Sequence, residues 1–256
     1  MKKKQIYIFA NWKMYLDYDE SNIFANRFSN VVKEISKEIN VVVFPEALSL
    51  YTVGQVLGDV GVGVGAQNVY WLDKGGYTGE ISAKMYKDAG CKYSLVGHSE
   101  RRHIFNETNQ EVRKKLEAIL SKKMIPVLCV GETAKERKTG KADKIIEIQL
   151  RSALSGLTLN AKKEIIIAYE PVWAIGTGQA CDADEAERMH ALIAKIVKKM
   201  AIKANFKILY GGSVDSGNVS AYLIKKTING VLVGGASAKF ESWYKILKTA
   251  EKLNKK

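Results

Sequence analysis

Short apolar segments rich in β-branched residues recur along the whole chain, separated by longer amphipathic segments. The apolar segments predict eight strands, at residues 6–10, 41–44, 60–66, 93–96, 125–130, 165–169, 207–210 and 231–233. Several are apolar at consecutive positions, which is typical of parallel strands covered on both faces.

Helical periodicity fills the intervals between these strands. The clearest helix is predicted at about residues 184–200, where acidic residues crowd the first turn and lysines the last, as the helix dipole favours. Further helices are predicted near residues 109–122 and 19–37. The repeated alternation favours an α/β fold of the (β/α)8 type, eight parallel strands inside a ring of helices, over a doubly wound sheet. No linker-like tract interrupts the chain, so residues 1–256 are expected to form one domain.

Polar residues follow the predicted strands, at the rim where barrel enzymes carry their active sites. Those after the first, third, fourth and sixth strands are Asn11, Lys13, Gln67, Asn68, His98, Glu100 and Glu170. A lone glutamate or histidine is more often structural than catalytic, but a shared rim favours catalysis for Glu170 and His98. The other histidines, His103 and His190, lie in helical or charged contexts and are expected to be structural or exposed.

Glycine-rich segments follow the last two predicted strands, at residues 211–213 and 234–237. Either one alone could be an ordinary tight turn, but together they favour a phosphate site built from backbone N–H groups. The alternating glycines at residues 61–65 only superficially match a dinucleotide motif, because no strand–turn–helix context surrounds them. They are expected instead to make room for side chains of neighbouring strands.

Glu170 is followed by a segment with the features of a closing loop. A proline stiffens its start, its middle is apolar, and glycines near its end can absorb a backbone rotation. The predicted lid consists of Pro171, Val172, Trp173, Ala174, Ile175, Gly176, Thr177 and Gly178.

Composition narrows the possible partners and compartment. The net charge of +13 is spread over dispersed lysines outside any recognisable nucleic-acid motif, so neither nucleic acid nor a membrane is the expected partner. The basic N-terminus is followed by an apolar run too short for a signal peptide, and no run reaches the length of a membrane span. Cys91, Cys129 and Cys181 lack disulfide or metal-ligand spacing, and a cytoplasmic protein is expected.

Five motifs, at residues 11–14, 97–102, 168–178, 210–214 and 232–237, occur in an order that resembles the triosephosphate isomerase family. The resemblance extends from residue 6 to about 240. It implies a TIM barrel that interconverts dihydroxyacetone phosphate and glyceraldehyde 3-phosphate. It also implies no cofactor and no metal.

The resemblance also assigns roles to individual residues. It makes Glu170 the base, with His98, Lys13 and Asn11 stabilising an enediolate, and Glu100 a proton-relay or supporting residue near Lys13. The residues it implies for the phosphate are Gly176, Ser213, Gly234 and Gly235, and those implied to latch the closed lid are Tyr210 and Ser213.

The segment at residues 75–80 resembles the loop that projects into a neighbouring subunit and steadies Lys13 there, which implies a homodimer through Tyr77 and Thr78. Departures from the family pattern concern the interface and the lid. They are Tyr15 for the common Asn, Gly76-Tyr77 for Ala-Phe, and Gln179-Ala180 for Lys-Thr. Two alternatives stay open: another phosphate-binding barrel isomerase, acting for instance on ribosyl phosphates, and a catalytically idle barrel that serves as a basic surface adhesin or nucleic-acid binder.

Overall fold

A computed structural model describes residues 5–159, 161–176 and 179–255. The described residues form eight parallel strands that pair in sequence order, and the last pairs with the first to close a barrel. These strands are β1 (Ile6–Asn11), β2 (Ile39–Phe44), β3 (Gly63–Ala66), β4 (Tyr93–Val96), β5 (Ile125–Val130), β6 (Glu164–Tyr169), β7 (Asn205–Tyr210) and β8 (Gly230–Val233). The predicted α/β barrel is confirmed.

Helices surround the barrel in the described ranges. They are α1 (Tyr18–Val31), α2 (Leu50–Gly58), α3 (Ala83–Asp88), α4 (Ser99–His103), α5 (Asn109–Ser121), α6 (Ala134–Lys138), α7 (Ala142–Leu154), α8 (Ala183–Lys199), α9 (Val219–Leu223) and α10 (Phe240–Asn254). Short 3₁₀ helices lie at Val32–Glu34, Val172–Ala174 and Gly235–Ala238. None of the described helices is long and apolar enough to cross a membrane.

Two apolar layers hold the barrel together, because successive strand residues point to opposite faces. In β1, Tyr7 and Phe9 point into the barrel, where they pack with Phe44 and Tyr93. Ile8 points outward into the larger layer between strands and helices. Seven of the eight described strands contribute apolar side chains to both layers, and β3 contributes glycines to the inner one, which explains the consecutive apolar residues in the sequence.

The glycines of β3 confirm the expectation that they make room for neighbours. A Cβ atom at Gly65 would lie 2.4 Å from the Phe44 ring. The predicted strand at residues 60–66 nevertheless begins too early. Gly61 has a left-handed φ of +80°, so Val60 to Val62 form a turn and β3 starts at Gly63.

The first helix is shorter than the predicted span of 19–37. The Asp17 side chain caps the start of this helix by accepting a hydrogen bond from the Glu20 amide, and the helix ends at Val31. A 3₁₀ turn follows, and Ile35 then adopts an extended conformation with ψ of 136°. The apolar period continues through this region because Val32 and Ile35 are both buried, although the backbone is no longer α-helical. The helices predicted at 109–122 and 184–200 match α5 and α8 closely.

Histidine 190 lies fully buried on α8, with its ring edge-on to Tyr169 and 6.0 Å between ring centroids. Burial lowers its pKa to about 3. The folded chain thus keeps this imidazole neutral at pH values where the unfolded chain, with a pKa near 6.5, takes up a proton. The contribution of His190 to stability is complete above about pH 6.5 and is lost progressively as the pH falls toward 3.

We expect His190→Leu to weaken the acid sensitivity of the fold. Between pH 6.5 and about 4, the free energy of unfolding of the wild-type chain should fall by about 1 kcal/mol per pH unit more than that of the variant. Urea unfolding at pH 7.5 and pH 5 measures this difference. His103→Leu, at an exposed histidine of α4, is the control and should keep the wild-type pH dependence. Equal losses in wild type and His190→Leu would contradict the assignment.

Candidate active site

A cavity of about 240 Å³ opens at the end of the barrel where the strands finish. It is lined by residues from the ends of β1, β4, β6, β7 and β8. The residues predicted for the site that line it are Asn11, Lys13, His98, Glu170, Gly176, Ser213, Gly234 and Gly235. The structure therefore brings together residues that are up to 224 positions apart in the sequence, Asn11 and Gly235 being the extremes.

Glu170 follows β6 and is almost completely buried, at 2% exposure. Its Oε2 accepts a hydrogen bond from the Ser99 amide at 2.8 Å, and its Oε1 lies 3.3 Å from His98 Nε2. Ser99 is the first residue of α4, so the positive end of that helix faces the carboxylate. The carboxylate is held in place without a direct contact to a basic side chain that would fully neutralise it.

His98 caps α4 with its own ring, because Nδ1 accepts from the Glu100 amide at 3.3 Å. A ring nitrogen that accepts a hydrogen bond carries no proton, so the proton of a neutral ring is on Nε2. Nε2 faces the cavity side, 3.3 Å from both the Asn11 amide nitrogen and Glu170 Oε1. Helix α4 begins at Ser99, and the Glu100 amide of its first turn favours this tautomer.

Lys13 follows β1 in a left-handed conformation with φ of 52°, which is uncommon for a residue with a side chain. The Asn11 side chain accepts from the Lys13 amide at 3.1 Å, and Gln67 donates to the Lys13 carbonyl at 2.8 Å. The Lys13 ammonium donates to Glu100 Oε1 at 2.6 Å. A Cβ atom at Gly234 would lie 3.3 Å from Lys13 Cε, so glycine there leaves space for the lysine stem. Backbone strain of this kind often accompanies functional positioning.

The first half of the predicted lid is attached to the loop after β5. Trp173 Nε1 donates to Glu132 Oε1 at 2.9 Å, and the Tyr169 hydroxyl contacts the same carboxylate at 3.2 Å. The guanidinium of Arg137 lies 4.8 Å from the centre of the Trp173 ring. Pro171 to Ala174 include a 3₁₀ turn, and Ile175 and Gly176 reach the cavity. Thr177 and Gly178 of the predicted lid lie outside the described residues.

The two residues implied as lid latches, Ser213 and Tyr210, differ in their position relative to the cavity. Ser213 lines the cavity. Tyr210 is buried behind it, and its hydroxyl accepts from the Cys181 amide at 3.2 Å, beyond the C-terminal end of the lid. A Cβ atom at Gly212 would lie 2.2 Å from that hydroxyl, so the glycine between Tyr210 and Ser213 is required by the tyrosine itself.

No group of three or more His, Cys, Asp or Glu side chains in the described ranges is arranged to hold a metal ion. The same ranges offer lysine and backbone amides at the cavity, which suit a small anion.

Comparisons with known proteins agree with this geometry. A family model described as Triosephosphate isomerase matches residues 6–250. A protein of Dictyoglomus thermophilum named triosephosphate isomerase is 42% identical over 245 residues, which cover 94% of this chain and 98% of the relative. A protein of Aquifex aeolicus with the same name is 43% identical over 242 residues, which cover 94% of this chain and 97% of the relative.

This chain belongs to the triosephosphate isomerase family. It is an isomerase with the barrel fold of that family, and the resemblance drawn from the five motifs is confirmed.

Three residues at and after the end of β5 support the site, and no motif in the sequence pointed to them. The Cys129 thiol, expected only to be reduced, lies fully buried, and burial together with the Glu170 carboxylate raises its pKa well above the usual range. A Cβ atom at Gly131 would lie 1.7 Å from the Glu170 carbonyl oxygen. Glu132 anchors the lid. Glu132 lies two residues after the end of β5, as Lys13 does after β1, so the same rule applied to the fifth strand would have identified it.

Gly131→Ala tests the close approach at Glu170. The added methyl group cannot fit against the Glu170 backbone, which must move, and a displacement near 1 Å at a catalytic group can cost about 100-fold in rate. We expect kcat to fall by roughly that factor in a steady-state assay. Gly54→Ala is the control, since Gly54 lies within α2 and its Cβ would meet nothing within 4 Å. Wild-type turnover in Gly131→Ala would refute the constraint.

Proposed function

We propose that this chain interconverts dihydroxyacetone phosphate and D-glyceraldehyde 3-phosphate, with Glu170 as the base. The observation that carries the proposal is the meeting of Glu170, His98 and Lys13 at one cavity with the glycine-rich loops after β7 and β8. Its volume of about 240 Å³ suits a three-carbon phosphate better than a ribosyl phosphate. In the described ranges the site therefore favours a triose over the larger substrates of related barrels.

The reaction begins with removal of a proton from carbon. Glu170 takes a proton from the hydroxyl-bearing carbon next to the substrate carbonyl, which leaves an enediolate. A proton then passes from the hydroxyl oxygen to the former carbonyl oxygen, and Glu170 returns its own proton to the carbon that carried the carbonyl. The developing negative oxygens require donors fixed in advance, and His98 Nε2, the Asn11 amide and the Lys13 ammonium face the same space. A neutral imidazole beside a carboxylate base is the established arrangement in this family and is carried over here. The hydrogen bond from the Glu100 amide to His98 Nδ1, which leaves the proton of a neutral ring on Nε2, supports that role.

The phosphate group would lie against the backbone of Gly234, Gly235 and Ser213, with Gly176 closing from the lid side. Glycine lets the chain approach an anion closely. Glu100 forms an ion pair with the Lys13 ammonium in the open site. Glu100 can therefore release the ammonium to the substrate, or it can relay a proton. The reaction moves one proton between carbons and involves neither a cofactor nor a metal in this proposal.

We also propose that two copies of the chain form a homodimer. Exposed apolar side chains surround a second depression of about 580 Å³ beside Lys13, including Met14 at 94% exposure, Ile104 at 67% and Phe105 at 65%. Apolar groups clustered in this way mark interaction surfaces. The exposed loop of Tyr77 and Thr78, stiffened by the tilted contact of Tyr77 with Tyr70 at 4.6 Å, is the expected occupant from the partner. A two-fold axis lets each copy supply a loop and receive one.

We place the protein in the cytoplasm, with no nucleic acid or membrane as partner. All three cysteines are buried free thiols, as is common in a reducing compartment. Several lysines of the surface are paired with acids, as in the contacts of Lys84 with Asp88 and Lys122 with Asp73. Salt-sensitive DNA binding without isomerase turnover would favour the idle-barrel alternative instead.

Glu170→Gln tests the base. The amide can still accept from Ser99, so the fold and affinity for inorganic phosphate should be kept, while kcat should fall by about 1,000-fold because the proton acceptor is lost. A coupled assay with both triose phosphates measures this. Glu117→Gln on the surface of α5 is the control and should be indistinguishable from wild type. A Glu170→Gln variant within 10-fold of wild-type turnover would end the assignment.

Ile104→Glu tests the dimer surface. A charge buried without a partner is costly, so we expect the variant to become monomeric at concentrations where the wild type is dimeric, and to lose activity as Lys13 loses its support. Sedimentation velocity gives the oligomeric state. Ile224→Glu, at an equally exposed residue after α9 with 65% exposure, is the control and should leave the dimer intact. A monomeric wild type would refute the interface.

A further inference from the structure

Tyr222 on α9 lies against the C-terminal end of the lid, although no motif pointed to it. Its hydroxyl donates to the Cys181 carbonyl at 2.6 Å. Its ring stacks on Tyr210, with 4.0 Å between ring centroids and 17° between the planes. The two tyrosines thus contact the two polar groups of one peptide residue, because Cys181 donates its amide to the Tyr210 hydroxyl at 3.2 Å.

The three groups form a closed ring of hydrogen bonds. Tyr222 gives its only proton to Cys181, so the Tyr210 hydroxyl, 3.5 Å away, donates to the Tyr222 oxygen. Burial raises the pKa of both phenols, which keeps them protonated and able to donate. Hydrogen bonds linked in this way polarise and strengthen one another, and removing one weakens the rest.

The ring connects the lid to the phosphate loop. Cys181 directly precedes the cap of α8, where the chain leaves the lid, and Tyr210 directly precedes the glycines of residues 211–212. Gly212 leaves room for the Tyr210 hydroxyl and is followed by Ser213 at the cavity. A shift of Cys181 would therefore be transmitted to the Tyr210 hydroxyl that touches this loop.

We propose that Tyr222 is a positioning residue for catalysis, which fixes the C-terminal end of the lid through Cys181 and Tyr210. The inference rests on the proposed isomerase reaction. An enediolate phosphate that is not covered can break its C–O bond to phosphate, releasing inorganic phosphate and the enol of a three-carbon dicarbonyl compound. A loosened lid end would favour this elimination over return of the proton.

Tyr222→Phe removes the hydroxyl and keeps the stacked ring. Loss of one buried hydrogen bond should lower kcat by about 5- to 10-fold. Affinity for inorganic phosphate alone should stay near the wild-type value, and the fraction of turnovers that release phosphate should rise several-fold. A purely structural role would lower the melting temperature and leave this product ratio unchanged, and that result would overturn the proposal.

Tyr244→Phe is the matched control. Tyr244 also stacks on an aromatic ring, Phe240, and its hydroxyl bonds to Glu34 on the surface. It should keep wild-type kcat and product ratio. Equal effects in the two tyrosine variants would overturn the proposal, because the effect would then not be specific to the lid.

Hydrogen exchange at the Cys181 amide tests the ring without relying on activity. The amide should be protected in the wild type and should exchange about 5- to 10-fold faster in Tyr222→Phe. An unprotected wild-type amide, or an unchanged rate in the variant, would overturn the proposal. If the wild type failed to isomerise triose phosphates but showed the expected exchange, the proposed function would fail while the role of Tyr222 in holding this segment would stand.

Discussion

The hydrogen bond from the Ser99 amide to Glu170 Oε2 is the contact on which the arrangement of the cavity depends. It requires that β4 and β6, which flank β5 in the barrel, end at the same rim, and the parallel pairing of β5 with both strands places their ends there. It also ties the carboxylate to the start of α4, whose cap is His98. One short helix therefore orients the acid and the imidazole at the same time. Gly131 permits this from the other side, since any side chain there would displace the Glu170 backbone.

The lid is held at both ends by neighbouring strands. Tyr169 of β6 and Tyr210 of β7 stand opposite each other in the strand register, and both point outward into the layer between strands and helices. Tyr169 meets Glu132, the partner of Trp173 at the start of the lid, while Tyr210 meets Cys181 beyond its end. The next residue after Tyr169 is Glu170, which alternation turns toward the cavity. The same short stretch of sheet thus sets both anchor points of the predicted lid and the position of Glu170 at the cavity.

Much of this architecture could be predicted from the sequence, because a barrel strand carries its pattern locally. Eight apolar runs and the polar residues after them are visible without any long-range information, and Asn11, His98 and Glu170 were located in this way. The start of β3 was not predicted correctly, because the backbone makes a left-handed turn at Gly61 while the apolar run in the sequence continues through that turn. The end of α1 was missed for a related reason: Val32 and Ile35 stay buried after the helix has ended, so burial alone does not reveal the change of backbone.

Residues that act through other residues are harder to find, and Tyr222 illustrates the physical reason. Its position on α9 reads as an ordinary apolar site facing the barrel, and it is indeed buried there. Its importance comes from contacts with Cys181 and Tyr210, which are 41 and 12 positions away in the chain. A hydroxyl in that layer must find a partner or incur a desolvation cost, and the Cys181 carbonyl at the end of the lid is the group within reach. A tyrosine on the buried face of a helix next to a loop that borders the cavity is therefore a reason to look for a backbone group that it holds, because leucine or phenylalanine would fill the same buried space without a hydroxyl.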